Sequence, residues 1–320
     1  MQTALSRHIY NMEIKIKEQK LKERKRFDPL NDFLFYKIMG EKGSETQLLG
    51  FINAVLGRTE NNRFTSIEIL ENKTFTPEAI GDKQTVLDVR AELSDLSKVN
   101  VEVQLRNQHN MNKRSLYYWS REYSKSLLTG QDYNELPKVI AINIVNFNYP
   151  PTSGFHSCFR LKEDKEPEII LTDSLEIHFL NMVKYRKQGK DALNNPLERW
   201  LAWFNQISQP ELAEEAAKMD AAIQAANERM VYVTGDADAI WAYERRQMAL
   251  SDHTSQMNYA RSEGFKEGHE DGFKQGHEEG IEKGIEKERE YVLQLLDQGL
   301  SVDEIKQHLE QGNQGLGAGD

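Results

Sequence analysis

The sequence predicts an α/β fold: a mixed sheet of four to five strands flanked by helices over about residues 27–185, then a helical region and a glycine-repeat tail. Three observations predict it. Between residues 64 and 105 the apolar residues recur with period 2, the period of half-buried strands, whereas the flanking segments show the helical period of 3.6. The run Lys138–Phe147 (KVIAINIVNF) is short, β-branched and nearly continuous, as in a strand covered on both faces. From about residue 190 the pattern is helical.

Taken in order, residues 1–26 form a basic leader; residues 13–26 carry seven Lys/Arg against three Glu. Asp28-Pro29 can start a first helix, with Leu34, Phe35, Ile38 and Met39 as its apolar set. Ser44 and Gln47 have the spacing of a capping box for a second helix. Leu48, Leu49, Ile52, Val55 and Leu56 make its apolar face, and Gly57 suits its C-terminal stop. Ile67–Leu70 reads as a strand. Val86–Leu93 and Val99–Leu105 alternate apolar and polar residues, and Ser94–Lys98 has hairpin length. Residues 112–129 read as a helix with Leu116, Trp119, Tyr123 and Leu127 at helical spacing. Phe155–Leu161 and Leu175–Leu180 are further strand candidates. Asn195-Pro196 opens a helix whose Leu197, Trp200, Leu201, Phe204 and Ile207 share a face; Trp200, Trp203 and Phe204 read as core, not as a base-stacking platform. Residues 210–228 and 236–262 read as helices, and a short helix, Val302–Leu309, follows Ser301. These readings divide the chain into a leader (1–26), a sheet domain (27–185), a helical region (186–262) and an acidic glycine-repeat tail (263–320).

Composition excludes several classes. Hydrophobic residues are 38% and mean hydropathy is −0.69. No apolar run approaches the ~20 residues of a membrane-spanning helix. Met1–Lys20 lacks the apolar stretch of a secretory signal, and Cys158 is the single cysteine, so a cytoplasmic, reducing location is expected and a cysteine-rich zinc module is excluded. The net charge of −10 argues against a surface coated for nucleic acid, but residues 262–290 alone contribute −5, ten acids against five bases. In the tail, Gly264, Gly268, Gly272, Gly276, Gly280 and Gly284 recur every four residues. A four-residue step drifts about 40° around a helix, so this is not the fixed seam of a heptad coiled coil. Its charged context also rules out a membrane dimerisation stripe. His269 and His277 are eight apart and do not form a metal pair. There is no phosphate-binding loop, dinucleotide fingerprint or nucleophile elbow.

The hairpin carries the candidate chemistry. Glu102 and Gln104 share a strand face. A hairpin symmetric about Ser94–Lys98 places Asp88 opposite Gln104 and Arg90 opposite Glu102, so Asp88 and Glu102 become diagonal neighbours. Two close carboxylates suit a hard cation such as Mg²⁺, which can activate water and polarise a phosphate oxygen. A plain hairpin with one solvated face alternates in the same way.

The stretches FDPLNDFLFYKIMG (27–40), LLGFINAVLG (48–57), LDVRAE (87–92), NVEVQLRNQ (100–108) and RSLYYWSREYSKSLLTGQDY (114–133), followed by the glycine-repeat tail, together resemble the Rpn group of recombination-promoting nucleases. These are transposase-like members of the PD-(D/E)xK nuclease superfamily, and the resemblance spans roughly residues 27–290. It implies a Mg²⁺-dependent DNA endonuclease, with the metal held by Asp88, Glu102 and the Val103 carbonyl. It implies in-line hydrolysis leaving a 3′-hydroxyl, with Gln104 orienting the water. Most of the superfamily has Lys where Gln104 stands, and a neutral amide cannot supply a cation. Arg114 is the candidate substitute, with a phosphate-positioning or structural role as the alternative. Asp32 matches an acidic residue near the first helices that could support the site; a helix N-cap is the other reading. The basic arm at 13–26, with Lys113 and Arg114, would hold the DNA backbone without reading bases. Cutting both strands would favour a homodimer. Two other classes stay open: a degenerate nuclease fold acting as an interaction or regulatory scaffold, and DNA binding without cleavage.

Overall fold

The computed structural model describes residues 26–70, 89–188 and 193–314. The leader up to residue 25 and residues 86–88, Asp88 among them, lie outside the described residues. Two helices open the chain, α1 (Asp32–Met39) and α2 (Glu45–Val55). Strands β1 (Ile67–Leu70), β2 (Val89–Leu93) and β3 (Lys98–Gln104) follow, then α3 (Met111–Lys125), β4 (Val139–Val145), β5 (His156–Phe159) and β6 (Leu175–Asn181). After α4 (Met182–Lys187) come α5 (Pro196–Phe204), α6 (Pro210–Met219) and α7 (Ala221–Val233). Helices α8 (Ala237–Asp297) and α9 (Val302–Gln314) end the described chain. A unit running to Ala249 and a second from Leu250 onward are each compact.

The mixed sheet has six strands in the order β1-β2-β3-β4-β6-β5, with β3, β4 and β6 parallel to one another. Every strand candidate pairs, including the short β1 and β5 at the two edges, so the sheet is wider than the four or five expected. Helix α3 is the crossover that two adjacent parallel strands require.

One face of the sheet is apolar. Val89, Ala91, Val99, Val101, Val103, Ile140, Ile142 and Ile144 share a core with α1, α2, α5, α6 and α7. The helices after residue 195 therefore complete the same core as the opening pair. Beneath α3 lies a smaller cluster of Met111, Ala141, Val145, Leu175, Ile177 and Phe179. Covered on both faces, β4 is buried at all seven positions, which explains its unbroken β-branched run. Trp200, Trp203 and Phe204 are core, with Trp200 5.5 Å from the Phe51 ring.

Several helix signals act differently from the expectation. Helix α1 starts at Asp32, not at Asp28-Pro29, because the Asn31 side chain accepts from the Leu34 N–H, 3.2 Å away. The capping box at Ser44 does not form. Gln47 instead donates to the Ile38 carbonyl at 2.9 Å, tying α2 to α1. The helical stretch 210–228 is split at Asp220, whose side chain caps α7. On α3, Leu116 is 52% exposed, while Trp119 packs against the smaller cluster.

Gly50 allows α2 and α7 to approach closely: a Cβ there would overlap the Cβ of Ala222. Gly50→Ala is expected to destabilise the fold by about 1–3 kcal/mol through overpacking. In urea melts, Ala222→Gly should recover part of that loss in the double variant. Additive losses would show that the two positions do not compete for the same space.

The glycine repeat lies within α8, where a Cβ on any of its six glycines would meet nothing within 4 Å. No helix among the described residues is long and apolar enough to cross a membrane.

Candidate metal and phosphate site on the sheet

The β2–β3 hairpin turns through Ser94–Ser97, with Leu96 in the left-handed region at φ 67°. This loop is one residue shorter than Ser94–Lys98. The pairing centre moves by one position and each partner by two, so Arg90 faces Asn100 rather than Glu102.

On β3 the apolar residues Val99, Val101 and Val103 point into the large core, and Asn100, Glu102 and Gln104 occupy the opposite face, under α3. Alternation alone would leave Glu102 solvated. Instead it is 3% exposed, because α3 crosses above it. Its Oε1 accepts from Gln104 Nε2 at 2.8 Å and from Arg114 Nη2 at 2.5 Å. A buried carboxylate needs such compensation, and a guanidinium supplies both charge and a donor. Arg114 is fixed in turn: Nη1 donates to Gln108 Oε1 at 3.3 Å, and the guanidinium lies 5.4 Å from the Tyr118 ring centre. Beside this group, Ser115 donates to Asn143 Oδ1 at 3.2 Å, and Asn143 donates to the His178 carbonyl at 3.2 Å. Arg90 meets Glu122 of α3 at 3.4 Å.

Glu102, Gln104 and Arg114 are thus brought together. Asp88 lies outside the described residues. The Val103 side chain is in the large core. Asp32 is not the N-cap of α1, since Asn31 is; Asp32 is the first helical residue and is gripped by Arg246 of α8 through Nε, at 2.9 and 2.8 Å, and through Nη2. That pair was not legible beforehand, because the partners are 214 residues apart and no local spacing links them.

Among the described residues no group of three or more His, Cys, Asp and Glu could hold a metal ion. The Glu102 face does, however, carry one further oxygen without a partner. Asn100 Oδ1 is buried on the same strand face with no hydrogen-bond partner. An orphaned hard oxygen next to a buried carboxylate fits a hard divalent cation.

A second polar cluster lies at the other end of the sheet. His156 and Cys158 on β5, and Glu176 and His178 on β6, are spaced two apart on paired strands and share a face. Cys158 is exposed on the edge strand. Its Sγ is 3.7 Å from His178 Nε2, and His178 Nδ1 is 3.0 Å from His156 Nε2. Glu176 meets Lys138 at 3.1 Å and Arg160 at 2.6 Å. Burial would raise the Glu176 carboxyl, but hydrogen bonds from His178 and Lys138 and the nearby cationic charges outweigh it and hold it at about 2. Burial, then the neighbouring His178, lowers His156 to about 4. Burial also opposes charge on His178, but hydrogen bonds to Cys158 and Glu176 overcome it and raise its value.

The signs differ between the two histidines. An unfolded His156 takes up a proton near 6.5 and the folded one near 4, so stability falls as pH drops through that window. His178, raised when folded, contributes stability below 6.5 that is lost as pH rises above it. His156→Asn should therefore flatten the fall in the urea midpoint between pH 6.5 and 4. An unchanged slope would show that His156 does not drive it.

The model of one protein family, described as PD-(D/E)XK nuclease family transposase, matches residues 29–260. No curated protein and no solved structure matches the chain. The matched stretch takes in the whole sheet, the Glu102 face and the helices that complete the large core.

Proposed function

Because the chain belongs to the PD-(D/E)XK nuclease family of transposases, we propose that it is a divalent-metal-dependent DNA endonuclease acting at the Glu102 face of the sheet. The observation that carries this reading is the buried Glu102 carboxylate, held between Gln104 and Arg114 beside an orphaned Asn100 oxygen. Asp88, Glu102 and the Val103 carbonyl would hold Mg²⁺, with Asn100 as a further oxygen donor. The cation, when bound, neutralises the carboxylates, polarises a phosphate oxygen and lowers the pKa of water.

The remaining work falls to the chain's own groups. Gln104 would orient the attacking water through its carboxamide. Arg114 would supply the positive charge that Gln104 cannot, to a phosphate oxygen that gains charge during displacement. Asp32 would support the site indirectly, by fixing the start of α1 against Arg246. The basic arm at 13–26 and Lys113 would hold the phosphate backbone. We place the enzyme in the cytoplasm as a homodimer, with the nuclease-like part at 27–185, the helical region at 186–262 and the tail at 263–320.

A nuclease fold without catalysis is the rival. The engagement of Glu102 by Arg114, with Gln at position 104, favours it. Cleavage of supercoiled plasmid separates the two. The proposed enzyme nicks or linearises the plasmid with Mg²⁺ and not with EDTA. Folded protein that leaves it intact with Mg²⁺ and with Mn²⁺ would support the scaffold.

A further inference from the structure

Helix α3 is basic in an acidic chain. It carries Lys113, Arg114, Arg121 and Lys125 against one acid, Glu122, while the whole chain has net charge −10. Glu122 is engaged by Arg90 and Arg114 by Glu102. Lys113, Arg121 and Lys125 are exposed, and among the described residues no ion pair engages them. Tyr117 stands in the same row, 60% exposed, with its ring against the edge of Tyr118 at 5.7 Å. Positions 113, 117, 121 and 125 are four apart. At 100° per residue they fall within an arc of about 120°, along roughly 18 Å of helix.

On a solvated face, acids four residues from the bases favour the helix by about 0.2–0.5 kcal/mol per pair. This row instead repeats cations around an exposed aromatic ring. It begins one residue from Arg114, whose guanidinium touches Glu102. Cations alone suffice to hold the backbone of a duplex. An exposed ring between cations has a use there only when a base is unpaired and can stack on it, the combination by which proteins hold single strands.

We propose that the row Lys113, Tyr117, Arg121 and Lys125 is a track for an unpaired DNA strand leading to the Glu102 site. The substrate class is then DNA in which a duplex carries a single-stranded segment, such as a flap, fork or gap. The proposal rests on the nuclease reading, and its test separates the two.

The test uses the full chain in EDTA and fluorescence anisotropy. The probes are a blunt 30-base-pair duplex, the same duplex with a ten-nucleotide DNA extension, and that duplex with an RNA extension. The DNA-extended duplex should bind at least fivefold more tightly than the blunt one. Tyr117→Ala should abolish that preference, a loss of about fivefold to a hundredfold, and Tyr117→Phe should keep it. Neutralising Lys113, Arg121 and Lys125 together to Gln should lower the salt slope for the extension by about 2. All four positions are exposed, and a circular dichroism melt at the wild-type temperature verifies that each variant is folded. Equal affinity for blunt and extended duplex, a preference that survives Tyr117→Ala, or tighter binding of the RNA extension would each overturn the track. Plasmid cleavage with no strand preference refutes the track alone. Strand preference with no cleavage refutes the nuclease reading and leaves a strand-binding face.

Discussion

Arg114→Met is expected to destabilise the protein by about 3–5 kcal/mol and to lower DNA cleavage by about 10²–10³-fold. The stability loss arises because Glu102 stays 3% exposed while losing the guanidinium 2.5 Å from its Oε1. An anion buried without that charge must be neutralised or drawn toward water, and either outcome disturbs β3 against α3. The activity loss arises because Gln104 is neutral, whereas Arg114 brings a cation into contact with the carboxylate. Arg114→Lys should recover part of the stability. It cannot span both Glu102 and Gln108 as the forked guanidinium does. Urea melts give the first quantity. Cleavage rates at a temperature where the variant is folded give the second. A stability change below about 1 kcal/mol would place the pair among exposed ion pairs in its energetics and contradict the account.

Trp200→Ala should cost about 3–5 kcal/mol, the range for an aromatic side chain removed from a closed core. Trp200 has no exposed surface and packs against Phe51, Trp203 and Phe204, joining α5 to α2. Trp200→Phe should cost much less, because the indole Nε1 is buried without a hydrogen-bond partner and nothing is lost when it goes. The comparison checks whether ring packing or the indole nitrogen holds the helices. Equal losses for the two variants would contradict the packing argument.

Much of this fold was legible because burial follows period. The alternation at 89–93 and 99–104 marked the hairpin, and the unbroken run at 139–145 marked a strand covered on both faces. Asn195-Pro196 marked the start of α5, where Asn195 accepts from the Glu198 N–H. What failed depended on geometry that spacing does not encode. One loop residue shifted the hairpin register and moved Arg90 from Glu102 to Asn100. Ser44 and Gln47 had capping-box spacing, but a tertiary acceptor, the Ile38 carbonyl, took Gln47. The helix read over 236–262 does not stop at the glycine-repeat tail: α8 continues through the repeat to Asp297.

The site was legible in part for the same reason. Glu102 and Gln104 were linked by strand spacing, and they are hydrogen-bonded at 2.8 Å. The burial of Glu102 could not be read, since a polar position in an alternating strand is ordinarily solvated; only the path of α3 buries it. Asn100 and the Ser115–Asn143 bond are products of strand pairing and helix placement. The histidine cluster did have a signal, two residues two apart on each of two strands. It needed the β5–β6 pairing to become one face.

The most direct measurement is cleavage of supercoiled plasmid by wild-type protein and by the Asp88→Ala/Glu102→Ala variant, each with Mg²⁺ and with EDTA. The account predicts Mg²⁺-dependent nicking by the wild type that disappears in the variant at a temperature where the less stable variant is still folded. Cleavage that survives in the folded variant would contradict it, because the chemistry would then lie away from the hairpin carboxylates.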